Sequence, residues 1–373
     1  MTTQIRAIDA HTDYWGSVRE AASCLVAGGL VVLPTETVYG LAANAFSAEA
    51  MSRLRHLKNR QENKPFTLHI GSPATVDRFV PDLGGLGRRL ITKAWPGPLT
   101  IVFPVNEPEK APVIQENSPE HIATLYHEGT IGIRCPQSRV TADILNEAGV
   151  PIVAASANPA DAPAPSTAEL GLRMLDGKVD LVIDDGETQY REASSVIRVD
   201  GNRYTMLREG VLKERTIRKL ATLNFLMVCT GNTCRSPMAE ALLRRLLAKR
   251  IGCEDNQLSD HGYHVESAGV AGSEGLPASE TAIAAMRSRG IDLSSHRSAP
   301  LTRETIDRAD HIFVMTTGHL AAVTSMCPSA QERCRLLNDR DIEDPIGGDE
   351  QTYARCAKRI DEALRRHGEE ILL

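Results

Sequence analysis

The 373-residue sequence contains no apolar run approaching the roughly 18–20 residues that cross a bilayer, and its first residues carry no signal-peptide pattern. It also lacks an excess of positive charge. The net charge is −6, which speaks against a broad nucleic-acid or membrane surface. Residues 1–212 hold 20 basic and 25 acidic side chains and the remainder 22 and 23, so neither part is a basic module. The eight cysteines fall in no paired pattern and sit mostly in apolar stretches. That excludes a disulfide framework and argues for reduced thiols in a cytoplasmic protein without a membrane partner. Internal repeats and long low-complexity segments are missing too.

What is present suits a folded protein of more than one domain. Hydrophobic residues make up 42% and charged residues 24%, and the length exceeds what a single core usually organises. Short β-branched runs alternate with amphipathic stretches, the pattern of an α/β fold. Strands are expected at Gly29–Pro34, Leu99–Phe103, Thr130–Arg134, Ile152–Ala155 and Leu181–Asp184. Ser195–Val199 and Tyr204–Arg208 flank Asp200-Gly201-Asn202 as a hairpin. Helices are expected at Ser17–Ala27, Ala48–Leu57, Leu86–Ala94, Thr141–Glu147 and Thr167–Leu175. Residues 213–222 are charged, without strong core periodicity, and read as a linker between a domain at 1–212 and one at 223–373. The second domain runs strand (Leu223–Val228), loop, helix (Met238–Lys249), strand (Tyr263–Ser267), helix (Ala278–Arg289), strand (His311–Met315), with a last helix over Glu350–Leu373. This predicts a small doubly wound parallel sheet.

The strand-to-helix junction Cys229-Thr-Gly-Asn-Thr-Cys234-Arg235-Ser236-Pro237 carries the clearest chemistry. Pro237 suits a first helical turn. The N–H groups of such a loop, with the helix N-terminus, can enclose a tetrahedral oxyanion, and the same dipoles favour a thiolate at Cys229. Arg235 can grip phosphoryl oxygens bidentately. Cys229 then becomes a nucleophile forming a phosphocysteine, and Asp344, in Asp344-Pro345-Ile346-Gly347, is the candidate general acid. Ser236 can donate to the Cys229 sulfur, and Asn232 can hold the loop through bonds to its backbone. These residues, with Glu266-Ser-Ala-Gly269, Pro300-Leu-Thr302 and Ala309-Asp310, resemble the low-molecular-weight protein tyrosine phosphatase family from Asn224 onward. The resemblance implies a cofactor-free phosphatase acting on a phosphorylated protein. It also implies a reversible disulfide between Cys234 and oxidised Cys229.

Tyrosine-directed members carry aromatics after the Asp-Pro pair and a bulky aliphatic residue before the second loop cysteine; here Ile346-Gly347 and Thr233 stand there. A phenyl ring loses its stacking partner, and a threonine hydroxyl can bond a polar group. The loop is similar to that of the bacterial protein-arginine phosphatase branch, although Ile346 replaces a frequent phenylalanine. Phosphoarginine is the expected substrate, with phosphotyrosine as the alternative. An arsenate-reducing or redox-sensing role for the same loop would need a relay, and Cys327, Cys334 and Cys356 form no recognisable one.

In the first domain, Pro34-Thr-Glu-Thr-Val-Tyr-Gly40 places hydroxyls and a carboxylate after a strand, where α/β folds put ligands. Lys58-Asn-Arg60 and Lys64 belong to a cluster with Arg53 and Arg55 that can neutralise a polyphosphate, and Ser156-Ala-Asn158 offers small polar groups at another strand end. With Pro96-Gly-Pro-Leu-Thr100, Gly132-Ile-Arg134-x-Pro136, Ser166-Thr167, Ser194-Ser195 and Leu207-Arg208-x-Gly210, these segments resemble the YrdC/Sua5 family of threonylcarbamoyl-AMP synthases. Such a domain has a twisted mixed sheet with helices. The implied reaction joins L-threonine, bicarbonate and ATP into threonylcarbamoyl-adenylate and pyrophosphate. It supplies the tRNA threonylcarbamoyl transferase machinery that makes N6-threonylcarbamoyladenosine (t6A). Carried over, Lys58, Arg60 and Lys64 bind ATP phosphates with Mg2+; Ser156, Asn158, Ser166 and Arg208 hold the nucleotide; Thr35, His69, Arg134 and Ser194 contact threonine. Gln61, Lys64 and Ser195 depart from the family's usual proline, asparagine and threonine, and the extra C-terminal domain of longer Sua5 proteins is replaced by the phosphatase. No resident metal site is expected. The alternative is an RNA-binding regulator using the Arg53–Lys64 cluster.

Overall fold

The computed structural model describes residues 3–9, 13–60, 65–160 and 162–367. Its contacts divide the chain into two units, Met1–Ala221 and Thr222–Leu373.

The first unit is built on a ten-stranded mixed sheet. Its strands are β1 (Gln4–Ala7), β2 (Val31–Leu33), β3 (Gly40–Asn44), β4 (Thr67–His69), β5 (Leu99–Pro104), β6 (Thr130–Arg134), β7 (Ile152–Ser156), β8 (Leu181–Asp184), β9 (Ser195–Asp200) and β10 (Arg203–Arg208). They lie in the order β1-β8-β2-β3-β7-β4-β6-β5-β9-β10. Alternation along the strands builds a core on each face: Val32, Leu41 and Val182 join one apolar cluster, while Val31, Ala42 and Ile183 join the other. The strand β3, Gly-Leu-Ala-Ala-Asn, was not anticipated, because it has no β-branched or aromatic residue. Pairing with β2 and β7 makes it a strand all the same.

The segment expected as a linker is mostly helix, Glu214–Ala221. Only Ile217 and Ala221 are buried on it, a stripe one turn long that leaves little periodicity to read. The helix is tied to the first unit, with Tyr204 Oη donating to Glu214 at 2.7 Å and Arg89 donating to the Ala221 carbonyl.

The second unit has four parallel strands, β11 (Leu223–Cys229), β12 (Tyr263–Gly269), β13 (His311–Val314) and β14 (Cys334–Leu336), in the order β12-β11-β13-β14. This is the doubly wound arrangement expected. Phe225 and Met227 face one apolar cluster, Leu226 and Val228 the other. Helices Arg235–Ile251, Glu280–Arg287 and Glu350–His367 match the expected ones, the last reaching the end of the described residues. Two further helices, Arg303–Arg308 and Thr317–Met326, flank β13. Cys229 ends the central strand β11, so the loop after it opens at the carboxyl edge of the sheet, where such folds bind ligands.

Candidate functional sites

In the first unit a cavity of about 400 Å³ opens over the sheet, lined by residues from the segments singled out above. Its described lining includes Lys58, Arg60, Arg134 and Arg208 and no carboxylate. Thr35, His69, Ser156 and Ser194 line it as well. Ser166 does not; its carbonyl accepts from the Thr188 N–H at 2.9 Å. Asn158 lies just behind the lining, and Lys64 lies outside the described residues.

Lys58 follows the helix Ala48–Leu57, and Asn59, at φ +44°, turns the chain so that the Arg60 N–H donates to the Arg55 carbonyl at 3.0 Å. The Lys58 ammonium donates to the carbonyls of Ser156 (3.0 Å) and Asn158 (2.6 Å), with Ser156 Oγ and Asn158 Oδ1 at 3.4 and 3.3 Å. Burial, reinforced by Arg60, pulls its pKa down to about 8. The Arg60 guanidinium lies over the Phe66 ring at 4.7 Å, with that of Arg55 at 5.5 Å, and the Arg60 Nε is buried without a partner. Arg53 pairs with Asp180 at 2.9 Å. The described members of the basic cluster, Arg53, Arg55, Lys58 and Arg60, therefore turn their charges into pockets and pairs, rather than forming the exposed stripe an RNA backbone requires.

At the other end of the cavity, Arg134 is buried and donates through Nη2 to Glu36 Oε1 (2.9 Å) and Thr37 Oγ1 (2.7 Å). Glu36 Oε2 accepts from the Gln137 N–H at 3.0 Å. The Nε of Arg134 has no partner although it is buried, an uncommon state for a polar atom. Arg208 donates to the Ser194 carbonyl at 2.7 and 3.1 Å, and Ser194 Oγ lies 3.0 Å from Thr100 Oγ1. The His69 pKa is pushed down to about 3 by burial, with Arg134 adding to it. The ring is neutral, and its Nδ1 lies 3.1 Å from the Thr67 carbonyl as donor, which leaves Nε2 as an acceptor. Thr35 Oγ1 donates to the Val38 carbonyl at 2.6 Å and so fixes the turn beside the cavity. Glu36, Thr37, Phe66 and Thr100 were not assigned individual roles from sequence. The signal for Glu36 was available: a buried arginine needs a counter-ion, and the motif before β3 holds one carboxylate.

In the second unit, the Cys229 sulfur lies 3.0 Å from Ser236 Oγ and accepts from the Asn232 N–H at 3.3 Å. Asn232 takes a left-handed φ of +56°. Its side chain donates to Ser236 Oγ and Ser267 Oγ, both at 2.8 Å, and accepts from the Ala299 N–H at 2.8 Å. It therefore braces the loop against β12 and the 299 segment, and not through its own loop's backbone as expected. The His296 ring lies 2.8 Å from the Asn232 carbonyl. A Cβ at Gly269 would stand 2.6 Å from the Thr230 carbonyl, so glycine is required where β12 meets the loop.

Arg235 is buried, donates through Nη1 to the Ile342 carbonyl at 3.0 Å and pairs through Nη2 with Asp344. Its Nε, too, is buried without a partner. The Asp344 side chain is 38% exposed, and Ile346 beside it is 72% exposed, free of packing. Thr233 is half-buried, its Oγ1 3.7 Å from Cys234 Sγ. Cys234 Sγ sits 3.3 Å from Tyr353 Oη and 3.4 Å from Ser279 Oγ. Burial pushes Cys334 up to about 11 and Cys356 up to about 12, and Cys327 is bonded to Asp307 and Ser329. Cys327 and Cys334 lie in one apolar cluster, and Cys356 lies in the other.

Two family models match the chain. One, Sua5/YciO/YrdC, described as telomere recombination, matches residues 23–210; the other, low molecular weight phosphotyrosine protein phosphatase, matches residues 224–372. The sequence is 32% identical over 203 residues to a threonylcarbamoyl-AMP synthase of Pyrococcus abyssi, covering 54% of this chain and 56% of that one. It is 38% identical over 152 residues to a protein-arginine-phosphatase of Geobacillus stearothermophilus, covering 39% of this chain and 94% of that one. The chain spans about half the length of the P. abyssi and Bacillus subtilis synthases, 56% and 55%, and 84% of a putative threonylcarbamoyl-AMP synthase of Methanocaldococcus jannaschii. A solved structure of a P. abyssi Sua5 aligns over 90% of this chain and 98% of its own with a TM-score of 0.51 at 21% identity, a likeness of fold.

Proposed function

The chain belongs to the Sua5/YciO/YrdC family through residues 23–210 and carries a low-molecular-weight phosphatase domain behind it; from that premise we propose that it is a bifunctional enzyme. The first unit makes threonylcarbamoyl-adenylate from L-threonine, bicarbonate and ATP. The second hydrolyses phosphoarginine in proteins. The adenylate serves the cytoplasmic tRNA threonylcarbamoyl transferase machinery that forms t6A.

The synthase reading rests on one observation: a cavity lined by four cations and no carboxylate among its described residues. Such a lining suits a polyanion. Lys58 and Arg60, with Lys64, take the ATP phosphates; Ser156 and Arg208 hold the nucleotide, with Asn158 behind them, and Ser166, outside the lining, is left without a role there. Arg134 binds the threonine carboxylate with Thr35, His69 and Ser194 around it. Mg2+ fits this site as an ion carried by the phosphates and water, since the lining offers it no carboxylate cage. Catalysis is then positioning and charge neutralisation. The pH dependence follows from Lys58. Its folded pKa of about 8 lies below the ordinary 10.5. The unfolded chain therefore binds more protons between those values, and this group's contribution to stability rises with pH across that window and is a constant cost below it. For binding, the ammonium is charged at pH 7 and lost above pH 8. The KM for ATP should rise about tenfold from pH 7 to pH 9, and Lys58→Arg should flatten that rise. An equal rise in both proteins would assign it to another group.

The phosphatase reading rests on the buried Cys229 sulfur held between Ser236 and the Asn232 N–H, beside the Arg235–Asp344 pair. Cys229 attacks phosphorus, Arg235 and the loop amides hold the phosphoryl oxygens, and Asp344 protonates the leaving nitrogen. Asp344 then activates the water that frees the cysteine. Cys234 is the proposed trap when peroxide takes Cys229 to a sulfenic acid, condensing with it to a disulfide and water. The half-buried Thr233 hydroxyl and the absence of an aromatic ring at Ile346 favour a guanidinium-bearing leaving group over a phenol. Hydrolysis of phosphoarginine and phosphotyrosine by the full-length protein decides the substrate. Thr233→Ile should shift the ratio of the two kcat/KM values toward tyrosine by about tenfold, the scale of one lost hydrogen bond to a charged group. An unmodified protein that prefers phosphotyrosine would sink the arginine assignment.

A further inference from the structure

His319 belongs to none of the motifs described so far, yet it touches the phosphate loop. It sits on the helix Thr317–Met326, whose N-cap is Thr316, and is 5% exposed. Each ring nitrogen meets a hydroxyl: Nδ1 lies 3.0 Å from Thr316 Oγ1 and Nε2 lies 2.9 Å from Thr230 Oγ1. Thr230 follows the nucleophile in the loop, and its hydroxyl accepts from Arg235 Nη2 at 3.3 Å. The same nitrogen pairs with Asp344. A chain of contacts thus runs from Thr316 through His319, Thr230 and Arg235 to Asp344.

The direction of the protons along this chain matters. A threonine hydroxyl has one proton and rotates freely, whereas a guanidinium only donates. If the Thr230 proton turned toward Arg235, two donors would face each other. An acceptor on the far side of the hydroxyl prevents that, and His319 Nε2 stands there. The assignment requires a neutral ring with its proton on Nδ1, donated to Thr316 Oγ1. Burial and the Arg235 charge, in that order, hold the His319 pKa below its ordinary value; Asp344 and Asp341 oppose them more weakly. Thr316 Oγ1 also accepts from the His319 backbone N–H at 3.3 Å, within the capacity of its two lone pairs. A second tie fixes the helix start: the Thr317 N–H and hydroxyl donate to Asp341 at 2.9 and 3.2 Å, just before Ile342 and Asp344.

We propose that His319 is a positioning residue for the oxyanion-gripping arginine: its Nε2 holds the Thr230 hydroxyl as an acceptor, and that hydroxyl holds the Arg235 guanidinium in register with the loop. The proposal rests on the phosphatase reading of the loop and not on which phospho-amino acid is the substrate.

The test uses the full-length protein with two readouts, calorimetric affinity for inorganic phosphate and hydrolysis of p-nitrophenyl phosphate. His319→Asn places an amide near Nδ1 and keeps the Thr316 contact alone, whereas His319→Gln can reach the Nε2 position and keep the Thr230 contact. His319→Asn and Thr230→Val should each weaken phosphate binding and lower kcat/KM about tenfold. His319→Gln should stay within about threefold of the unmodified protein, and the Thr230→Val/His319→Asn pair should lose no more than either change alone. Phosphate affinity unchanged in His319→Asn, or a double loss equal to the product of the single ones, overturns the proposal. Should thermal unfolding show that His319→Asn has lost its fold, Thr230→Val decides: a tenfold loss supports the relay and an unchanged affinity overturns it. If the unmodified protein binds phosphate without hydrolysing the ester, the phosphatase reading fails, and the affinities alone judge His319.

Discussion

Cys229→Ser should lower phosphoarginine and aryl phosphate hydrolysis about 10⁴- to 10⁶-fold, the range seen when a nucleophile is removed from a covalent catalyst. Serine replaces a polarisable sulfur by an oxygen whose proton must be removed before attack, and the groups touching this position are unsuited to removing it. The neighbours are the Ser236 hydroxyl and the Asn232 N–H, and neither is a base. The loop itself should survive, because Asn232 braces it through Ser236, Ser267 and Ala299 without using the sulfur. Inorganic phosphate should therefore still bind through Arg235 and the loop amides, separating lost chemistry from lost binding. Synthesis of threonylcarbamoyl-adenylate should remain within about twofold, as expected of sites that share no partners. A severalfold change there would show that the two activities are coupled.

The phosphatase loop was legible because its chemistry is local. A nucleophile, an anion-binding turn, an arginine and a helix start fall within nine consecutive residues, Cys229–Pro237, and only Asp344 comes from far along the chain. The residues that brace the loop were less visible, since each contributes a single polar atom from another element. Ser267 sits on β12, Ala299 in a loop, Tyr353 on the last helix and His319 on a helix that the sequence did not suggest. The first unit shows the same contrast. Lys58, Arg60 and Arg134 stood out as charges in ordered motifs, whereas Glu36 became meaningful only when its carboxylate proved to hold Arg134. Strand β3 and the helix Glu214–Ala221 escaped for a related reason: neighbours, not intrinsic propensity, impose their structure.

Lys58→Met should lower ATP-dependent threonylcarbamoyl-adenylate synthesis about 10²- to 10³-fold, equivalent to roughly 3–4 kcal/mol of lost charge stabilisation. Methionine keeps the length and apolar stem of lysine but removes the charge, from a cavity whose described lining counters its four cations with no carboxylate. The loss should fall on ATP affinity and on turnover together, because phosphate charge grows on the departing pyrophosphate. A structural cost accompanies it: the Asn158 carbonyl loses its Lys58 donor, at about 1–3 kcal/mol for a buried acceptor left unmade, whereas the Ser156 carbonyl keeps the Asn158 N–H at 2.9 Å. Removing the charge also relieves the constant cost that Lys58 carries below about pH 8, so the two effects oppose each other in stability. L-threonine binding is the control that separates any change of fold from the catalytic effect. Arg134 and Glu36 form their own ion pair at 2.9 Å, so calorimetric affinity for threonine should stay within about twofold. Lys58→Arg restores the charge but cannot restore the geometry. The ammonium converges on four oxygens of the Ser156–Asn158 corner within 3.4 Å, and a planar fork cannot occupy that point. Its activity should fall between lysine and methionine; full activity in Lys58→Met would remove Lys58 from the phosphate site altogether.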